Sequence, residues 1–600
     1  MFQTFDSPAN PAQGPARLVD LRAQMSRTGV QGFMVPRSDV HQGESVAARD
    51  ERLQWLTGFT GSAGFCIALM DVAGVFIDGR YRTQVKSQVD LDHFTPVAWP
   101  DVKPGDWLRG NLSGGDLGFD PWLHSADEIA KIEQALEGSG ITMKPMANLI
   151  DAIWPDQPEA PKGRVFAHPV EFAGETSGSK RARLAEGLRA AGQKAAVITL
   201  PDSLCWLLNL RGSDVPRTPI LHGFAVLYED GRVNLFADAA KFDADTIASL
   251  APHVTLRPIA GFVPTLRTLS APVRVDKATA PLAVYQELTA AGVGVVWGDD
   301  PCRLPKAKKN AAEIEGMRQA HLRDGAAVAE FLCWLDDHAP KGQLTEIAAV
   351  QALEGFRRAT NALHDISFDT ISGAGPNGAI MHYRVSDDSN RTIGMNELFL
   401  VDSGAQYLDG TTDITRTVAV GDPGDYARIC YSRVLQGMIA ISRARWPRGL
   451  SGRDLDPLAR AALWAAGQDF DHGTGHGVGA FLSVHEGPQR LSRTSEVPLE
   501  EGMILSNEPG YYREGEFGIR LENLIVVEKA ADLPGGDHRN QLGFETLTFV
   551  PFDRRLILKD ELSKADLDWL NAYHAQTFAR LGPRLSDRAR AWTKEACAPL

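Results

Sequence analysis

Between residues 402 and 522 the sequence gathers acids and histidines among glycines at a density that no other region approaches. The stretch contains the segments DSGAQYLDGTTD, HGTGHGVG, VHEGP, SNEPGYY and GIRLEN. Carboxylates crowded together repel one another unless protons or cations neutralise them. Four acids with one imidazole are a poor set for a structural zinc site and a good one for two divalent cations that share bridging oxygens. We therefore predict a two-cation site built by Asp402, Asp413, His476, Glu508 and Glu522.

The spacing of the first two acids predicts that they lie on neighbouring strands. Residues 398–401 form an apolar run that ends at Asp402, and residues 411–420 have the threonine and valine content and the alternation of a strand. A glycine-rich turn connects the two runs. An antiparallel pair would bring Asp402 and Asp413 close enough to bind neighbouring cations.

A second pair of strands is predicted further along the chain. Residues 503–506 and 519–525 are apolar runs that would present Glu508 and Glu522 from separate strands. Arg520 stands two residues before Glu522, which places both on the same face of an extended strand. We expect Arg520 to orient the bridging carboxylates.

Composition excludes several classes of partner. The formal net charge of -14 argues against binding to nucleic-acid phosphates, since no basic tract offsets it. The N-terminal residues lack the basic start and apolar stretch of a secretory signal, and no apolar run is long enough to span a bilayer. The 6 cysteines are scattered without a CxxC pair, as is typical of reduced thiols. We therefore expect a cytoplasmic protein that binds neither nucleic acid nor membrane.

The first half of the chain contains an internal repeat. Residues 17–36 have the pattern of a helix, a turn and a buried strand, and residues 52–81 that of a glycine-broken loop followed by a hairpin. The same order recurs at residues 183–201 and 206–238, about 150 to 165 residues later. Because solenoid units are far shorter, the repeat predicts two copies of one α/β domain.

Two joints divide the chain into three predicted domains. Residues 154–163 are rich in proline and polar side chains and read as a linker. Residues 301–310 form the second joint, where Asn310 and Glu313 have the spacing of a capping box that opens a long helix. The predicted domains are residues 1–160, 161–305 and 306–600, the last with a C-terminal helical extension.

Helical periodicity predicts long helices in the third domain, at residues 311–338, 342–359, 424–445 and 455–467. Residues 560–581 predict a C-terminal helix whose apolar face packs either on the body of the domain or on a second subunit. The lead before residue 17 is predicted to be disordered.

These motifs resemble those of the cytosolic Xaa-Pro aminopeptidases, also called aminopeptidase P, which belong to the wider family of pita-bread metallopeptidases. The resemblance runs along nearly the whole chain and is densest in the segments given above. It includes DGRY at residues 78–81 and WLLNLRGSDV at residues 206–215. It implies an α/β (α+β) chain, with two creatinase-like N-terminal α/β domains followed by a pita-bread catalytic domain.

The resemblance also assigns roles to the five metal-ligand candidates. It implies two catalytic metals, most often manganese, in an acid-rich site that also accepts cobalt or zinc. Asp402 would bind one metal, His476 and Glu508 the other, and Asp413 and Glu522 would bridge both, which allows metals about 3.5 to 4 Å apart. A hydroxide held between the metals would attack the carbonyl that precedes proline. Glu508 would pass a proton to the leaving nitrogen, and Glu508 and His476 would also contact substrate.

Further histidines and one arginine are expected to bind the substrate. His382 and His485 match histidines of the family that donate to the peptide carbonyl and to the developing oxyanion. His472, four residues before His476, is expected to line or support the substrate pocket. Arg80 matches an arginine that reaches a substrate site, either in its own subunit or in a neighbouring one.

The implied activity is release of the first residue from peptides with proline at the second position, by a homodimer. Prolidase, which is limited to Xaa-Pro dipeptides, is the enzymatic alternative, and two N-terminal domains instead of one favour the aminopeptidase. The other alternative is a pita-bread module that binds without catalysis. Such modules typically lose metal ligands, whereas this chain has all five.

Overall fold

The structure is a computed structural model that describes residues 1–7, 9–250, 252–537 and 539–600. Across these residues the chain divides into two units. One is Pro8–Lys306, and the other joins Ala307–Leu600 to the N-terminal segment Met1–Ser7. Within the described ranges, no helix combines the length and the apolar character needed to cross a membrane.

The first copy of the repeat is built on one sheet with the strand order β4-β3-β2-β1-β5-β6. Its strands are β1 (Gly32–Pro36), β2 (Phe65–Leu69), β3 (Ala73–Ile77), β4 (Thr95–Ala98), β5 (Gly115–Phe119) and β6 (Ile141–Pro145). Its helices are α1 (Gly14–Thr28), α2 (Arg52–Thr57), α3 (Val85–Gln88), α4 (Pro104–Asn111) and α5 (Ala126–Leu136).

The second copy has a sheet with the strand order β12-β11-β10-β8-β13-β14 and a short pair of β7 with β9. Its strands are β7 (Phe166–Ala167), β8 (Ala195–Ile198), β9 (Leu210–Arg211), β10 (Phe224–Tyr228), β11 (Val233–Phe236), β12 (Val254–Arg257), β13 (Val273–Val275) and β14 (Val295–Trp297). Its helices are α6 (Val170–Ala173), α7 (Ser177–Ala190), α8 (Pro201–Leu208), α9 (Ala244–Leu250), α10 (Phe262–Leu266), α11 (Leu282–Ala290) and α12 (Arg303–Ala307).

Strand pairing confirms the predicted duplication. In the first sheet β1 is antiparallel to β2 and parallel to β5, while β3 is parallel to β4. In the second sheet β8 is antiparallel to β10 and parallel to β13, while β11 is parallel to β12. Each strand of one sheet therefore has a counterpart with the same neighbours and the same direction in the other.

The C-terminal unit combines long helices with several sheets. Its helices are α13 (Ala311–His338), α14 (Glu346–Arg358), α15 (Asp425–Ser442), α16 (Gly452–Trp464), α17 (Lys564–Leu581) and α18 (Asp587–Ala596). Its strands are β15 (Asp365–Ile366), β16 (Ile371–Ala374), β17 (Glu397–Ser403), β18 (Ala405–Tyr407), β19 (Gly410–Thr411), β20 (Ile414–Val420), β21 (Trp446–Pro447), β22 (Gly475–Gly477), β23 (Glu486–Leu491), β24 (Ile504–Asn507), β25 (Gly510–Arg513), β26 (Phe517–Arg520), β27 (Asn523–Lys529) and β28 (Gln541–Thr546). The sheets have the orders β16-β17-β20, β21-β28-β27-β24-β22-β23, β15-β18-β19 and β25-β26.

Helix α13 begins where the sequence predicts. The Asn310 side chain accepts a hydrogen bond from the Glu313 backbone N–H at 3.1 Å, and the Glu313 carboxylate accepts one from the Asn310 N–H at 3.0 Å. This reciprocal pair satisfies backbone donors that the first turn of a helix leaves without partners. The predicted capping box is confirmed.

The prediction of a disordered lead is wrong for residues 1–7. The Phe2 N–H donates to the Glu354 carboxylate at 3.0 Å, and the Gln3 side chain accepts from the Thr370 N–H at 2.8 Å. These partners lie more than 350 residues away along the chain. Local composition does not report contacts between segments so far apart, and the sequence of the lead alone therefore predicted no structure.

Candidate metal centre

The first predicted strand pair is confirmed and places two acids side by side. Strand β17 runs antiparallel to β20, with Asp402 opposite Thr415. Asp402 is the last but one residue of β17, and Asp413 directly precedes β20, so the two acids flank the connection that contains β18 and β19. Both carboxylates are buried, at 8% and 4% residue exposure.

The second predicted strand pair is wrong in its details. Residues 519–525 do not form one strand, because β26 ends at Arg520, β27 begins at Asn523 and Glu522 lies in the break. Strand β26 pairs with β25, whereas β27 pairs with β24. The chain thus changes sheets at Glu522, and its N–H donates to the Thr415 carbonyl at 3.2 Å. The break directs Glu522 towards β20.

Four of the predicted ligands meet at one point. One ligand atom each from Asp413, His476 and Glu522 lie within 4.8 Å of one another. The Nε2 atom of His476 is 3.5 Å from Asp413 Oδ2 and 3.5 Å from Glu508 Oε1. Glu508 follows the end of β24, where its N–H donates to the Thr474 carbonyl at 2.8 Å. Segments separated by about a hundred residues therefore supply one cluster.

The tautomer of His476 suits metal binding. Its Nδ1 atom lies 2.9 Å from the Gly477 carbonyl oxygen, which can only accept a hydrogen bond. Nδ1 therefore carries the proton and Nε2 presents a lone pair to the carboxylates. A carbonyl partner on the other ring nitrogen is the usual arrangement for a metal-binding histidine.

Arg520 contacts a different acid from the one expected. It was predicted to share a strand face with Glu522, but the strand ends at Arg520, and its Nη2 atom donates to Asp402 Oδ2 at 2.6 Å. The Glu522 carboxylate instead accepts from the Thr415 hydroxyl at 2.8 Å. Arg520 is 2% exposed, so its charge acts on Asp402 with little screening by solvent. Arg520 therefore fixes the carboxylate of Asp402, near the C-terminal end of β17.

Burial raises the pKa values of three acids in the cluster. Burial is the largest cause of the raised pKa of Asp413, and the charges of Asp402 and Glu508 add to it. Burial also raises the pKa of Glu522, with further contributions from Asp413 and Glu508. The pKa of Glu508 is raised by burial in spite of the opposing effect of His476. Because all three pKa values are raised, the ionised acids are unfavourable at these positions, and protons or cations are needed to hold them together.

Several buried oxygens of the cluster lack hydrogen-bond donors. Among the residues that the structure describes, Asp402 Oδ1, Asp413 Oδ1 and Glu522 Oε1 are buried without such a partner. A buried carboxylate oxygen without a donor is costly unless a cation binds it. The donor set, four carboxylates with one imidazole, and these oxygens fit divalent cations such as manganese.

His472 joins the site through the hydroxyl of Tyr512, for which the sequence leaves both a pocket wall and a core position open. His472 Nδ1 lies 2.8 Å from the Gly473 carbonyl oxygen, so Nε2 accepts from the Tyr512 hydroxyl, also at 2.8 Å. The same hydroxyl accepts from Arg520 at 2.7 Å. Burial raises the pKa of Tyr512 to about 12, which keeps it protonated. Tyr512, five residues after the end of β24, therefore links His472 to Arg520.

The other predicted histidines lie on irregular segments. The ring of His485 packs at 4.2 Å against the ring of His476, and the His485 side chain is exposed. His382 is half-buried in the connection between β16 and β17. That connection packs closely on β26, since a Cβ atom at Gly518 would lie 1.7 Å from the Gly378 carbonyl oxygen.

Glu346 organises the segment that carries His382, and sequence reasoning missed it. Its buried carboxylate, in the first turn of α14, accepts from the Ala374 N–H at 2.7 Å, the Tyr383 hydroxyl at 2.9 Å and the Arg391 N–H at 3.1 Å. These donors span the whole connection. The acid is otherwise an ordinary first-turn glutamate in the sequence, so only the fold shows its role.

Arg80 lies in the Pro8–Lys306 unit. Its Nη2 atom is 2.6 Å from Asp78 Oδ2, and its guanidinium lies 5.3 Å from the centre of the Tyr81 ring. The pair and the ring hold the arginine at the 3-10 turn after β3. Its expected contact with substrate stays a prediction.

Replacing one acid of the cluster tests its electrostatics. We expect Asp413→Asn to raise the melting temperature of the metal-free protein by about 1–2 °C, the shift that roughly 1 kcal/mol of relieved repulsion produces in a unit of this size. The variant should lose the rise in melting temperature that Mn²⁺ gives the wild type. Calorimetry with and without Mn²⁺ measures both.

Asp409→Asn is the matched control for this experiment. Asp409 lies in the same turn but is paired with Arg323, at 2.9 Å from each Nη atom. Its replacement should leave the Mn²⁺-dependent rise intact and should not stabilise the metal-free protein. A metal-free Asp413→Asn protein that is less stable than the Asp409→Asn control would contradict the repulsion.

Comparison with known proteins agrees with this geometry. The model of metallopeptidase family M24 matches residues 315–529, and that of its C-terminal region matches residues 540–600. Two models of the creatinase/prolidase N-terminal domain match residues 17–153 and 156–313, which confirms the predicted duplicated creatinase-like domains before a pita-bread domain.

Relatives match along the full chain. A probable Xaa-Pro aminopeptidase P of Laccaria bicolor is 38% identical over 97% of this chain and 93% of its own, and aminopeptidase P2 of Arabidopsis thaliana is 37% identical over 93% and 84%. The crystal structure of an X-prolyl aminopeptidase from Caenorhabditis elegans, described as a cytosolic enzyme with a di-nuclear active site, superposes with a TM-score of 0.93 at 33% identity and covers 98% of this chain and 100% of that one. The chain therefore belongs to metallopeptidase family M24, as a member of its aminopeptidase P group.

Proposed function

We propose that this protein is a metal-dependent aminopeptidase that hydrolyses the bond between the first residue and a proline at the second position. The main support is the convergence of ligand atoms from Asp413, His476 and Glu522 within 4.8 Å. In the described chain, buried carboxylate oxygens of the same site also lack hydrogen-bond donors. The relatives that match over the full chain are named as aminopeptidases of this specificity. A proline amide has no N–H and a constrained ring, so a dedicated enzyme is chemically reasonable.

We propose that two divalent cations are held by five residues. Asp402 would hold one cation, His476 and Glu508 the other, and Asp413 and Glu522 would bridge both. When bound, such metals lower the pKa of a water molecule and polarise the substrate carbonyl. Oxygen-rich ligands with one imidazole favour manganese and also accept cobalt or zinc. Metal analysis of freshly purified protein identifies the resident ion, and a content below one ion per chain would contradict the assignment.

The chain's own acids and histidines supply the proton transfers. Glu508 is proposed to take a proton from the attacking water and to deliver it to the proline nitrogen as the C–N bond breaks. His485 and His382 are proposed to donate to the carbonyl oxygen, where negative charge develops. His472 and Arg80 are proposed to contact the substrate at positions further from the scissile bond.

A prolidase activity is the competing proposal. The duplicated N-terminal domain and the full-length match to aminopeptidase P relatives favour the aminopeptidase. A role in binding without catalysis is disfavoured because all five metal-ligand candidates are present and four of them meet in the fold.

We also propose a cytoplasmic homodimer. The Caenorhabditis elegans relative is described as a cytosolic enzyme, which supports the location. Large apolar side chains are exposed on the C-terminal unit at Tyr426, Leu458 and Trp464, at 42–43%, and offer area to a second subunit. Light scattering of the pure protein measures its mass, and the mass of a single chain would contradict the dimer.

Substrate length separates the two proteolytic activities. We expect the Mn²⁺-loaded protein to release the first residue from an Xaa-Pro-Xaa tripeptide and from longer peptides, and to lose this activity on treatment with a chelator. An otherwise identical tripeptide with alanine at the second position should be cut far more slowly. Chromatography of the products measures the cleavage of the proline peptides, its loss with the chelator and the cleavage of the alanine peptide. Cleavage of the Xaa-Pro dipeptide alone would instead identify a prolidase.

The role of His485 predicts a selective loss of turnover. We expect His485→Ala to lower kcat by about 10²–10³, the cost of losing one donor to a developing oxyanion. The metal content should not change, because His485 is not among the five proposed ligands. Its ring only packs against the ring of His476. Initial rates measure kcat, and elemental analysis of the same sample measures the metal content.

His93→Ala, at an exposed histidine paired with Asp90 in the other unit, is the control. Unchanged kcat in His485→Ala would reject the role.

A further inference from the structure

A buried ion pair lies behind the turn that connects the two aspartates of the site. Asp324, on α13, and Arg357, on α14, meet through two hydrogen bonds, from Nε to Oδ1 at 2.7 Å and from Nη2 to Oδ2 at 3.0 Å. Their residue exposures are 0% and 1%. Burying two charges costs most of what their attraction returns, so such a pair is weak ground for stability. Its other contacts indicate a different role.

Those other contacts go to hydroxyl groups of the segment 402–413. The Thr412 hydroxyl donates to Asp324 Oδ2 at 2.7 Å, and the Tyr407 hydroxyl donates to Asp324 Oδ1 at 3.0 Å. Arg357 Nη2 donates to the Ser403 hydroxyl at 3.1 Å. Each oxygen of Asp324 thus accepts from Arg357 and from one hydroxyl of the turn.

The anchored residues stand next to the metal-ligand candidates. Ser403 directly follows Asp402, and Thr412 directly precedes Asp413. An aspartate side chain is short, so the position of its backbone largely decides where its carboxylate lies. The acids of the site repel one another, and an anchor on the neighbouring residue opposes their separation.

We propose that Asp324 and Arg357 are positioning residues of the metal centre, which hold Asp402 and Asp413 at the separation that two cations require. The inference rests on the proposed two-metal function. In the part of the chain that the structure describes, neither residue forms a hydrogen bond with a metal-ligand candidate, and both act through the hydroxyls of Ser403 and Thr412. The affinity for metal therefore depends on side chains outside the ligand set.

Neighbouring threonines provide a matched test. The Thr412 hydroxyl donates to Asp324 at 2.7 Å and accepts from the Ala405 N–H at 2.9 Å. The Thr411 hydroxyl donates at the same 2.7 Å to the Gln406 side chain and accepts from the Leu482 N–H at 3.3 Å. Both threonines are at 0% exposure. The same change, Thr→Val, thus removes an equivalent hydroxyl in the same turn but releases the ion pair at one position only.

We expect Thr412→Val to weaken Mn²⁺ binding by about tenfold, as is typical when a group supporting a metal ligand is lost. Thr412→Ser keeps the hydroxyl and should restore the wild-type constant. Thr411→Val should bind Mn²⁺ as the wild type does. Calorimetric titration of the full-length, chelator-treated protein measures the constants, and Mn²⁺ electron paramagnetic resonance counts the free ion.

The outcomes separate this inference from the proposed function. Wild-type Mn²⁺ binding in Thr412→Val, or equal weakening in Thr411→Val and Thr412→Val, would overturn the positioning role and leave the metal centre standing. A wild type that binds no Mn²⁺ would overturn both. Because calorimetric melting of each variant is measured on the same samples, a general loss of folding is recognised by a lower melting temperature in both valine variants.

Discussion

The mutual repulsion of buried carboxylates is the constraint on which the rest of this structure depends. Asp402, Asp413, Glu508 and Glu522 lie together in a buried place, where the charges of Asp402 and Glu508 help to raise the pKa values of Asp413 and Glu522. Three of these acids, among the described residues, also carry a buried oxygen without a hydrogen-bond donor. Divalent cations would supply the positive charge, and the same cations are what peptide hydrolysis by this family requires.

The surrounding fold counters this repulsion from several directions. Arg520 holds Asp402 with a charged hydrogen bond, and the Thr415 hydroxyl holds Glu522. The break between β26 and β27 allows Glu522 to leave one sheet and to face another. Behind the turn, the buried pair of Asp324 and Arg357 ties down the residues that flank the aspartates. Preorganisation of this kind reduces the rearrangement that metal binding would otherwise need.

Much of this could be predicted from the sequence because the signals are local. The acids and histidines are concentrated in short motifs, the repeat of the N-terminal half is visible as a recurring order of elements, and Asn310 with Glu313 marks the start of α13. The pairing of β17 with β20 followed from alternation and a glycine-rich turn. Apart from the repeat, which is seen by comparing two distant segments, each of these signals lies within a short stretch of the chain.

What the sequence did not reveal depends on contacts between distant segments. The run at 519–525 looks like one strand, and only the competition of two sheets for it explains the break at Glu522. Arg520 donates a hydrogen bond to Asp402, 118 positions away in the sequence, and not to the nearby Glu522. Glu346 resembles any acid in a first helical turn until the segment of His382 folds over it. Tertiary packing overrides local preference in each case.

The most direct test is a crystal structure of the protein grown with Mn²⁺, with the ions located by anomalous scattering. The account predicts two anomalous peaks about 3.5 to 4 Å apart, each in contact with the carboxylates of Asp413 and Glu522. One of the two should also contact Asp402, and the other His476 and Glu508. A single peak, or peaks bound by other residues, would contradict the two-metal centre.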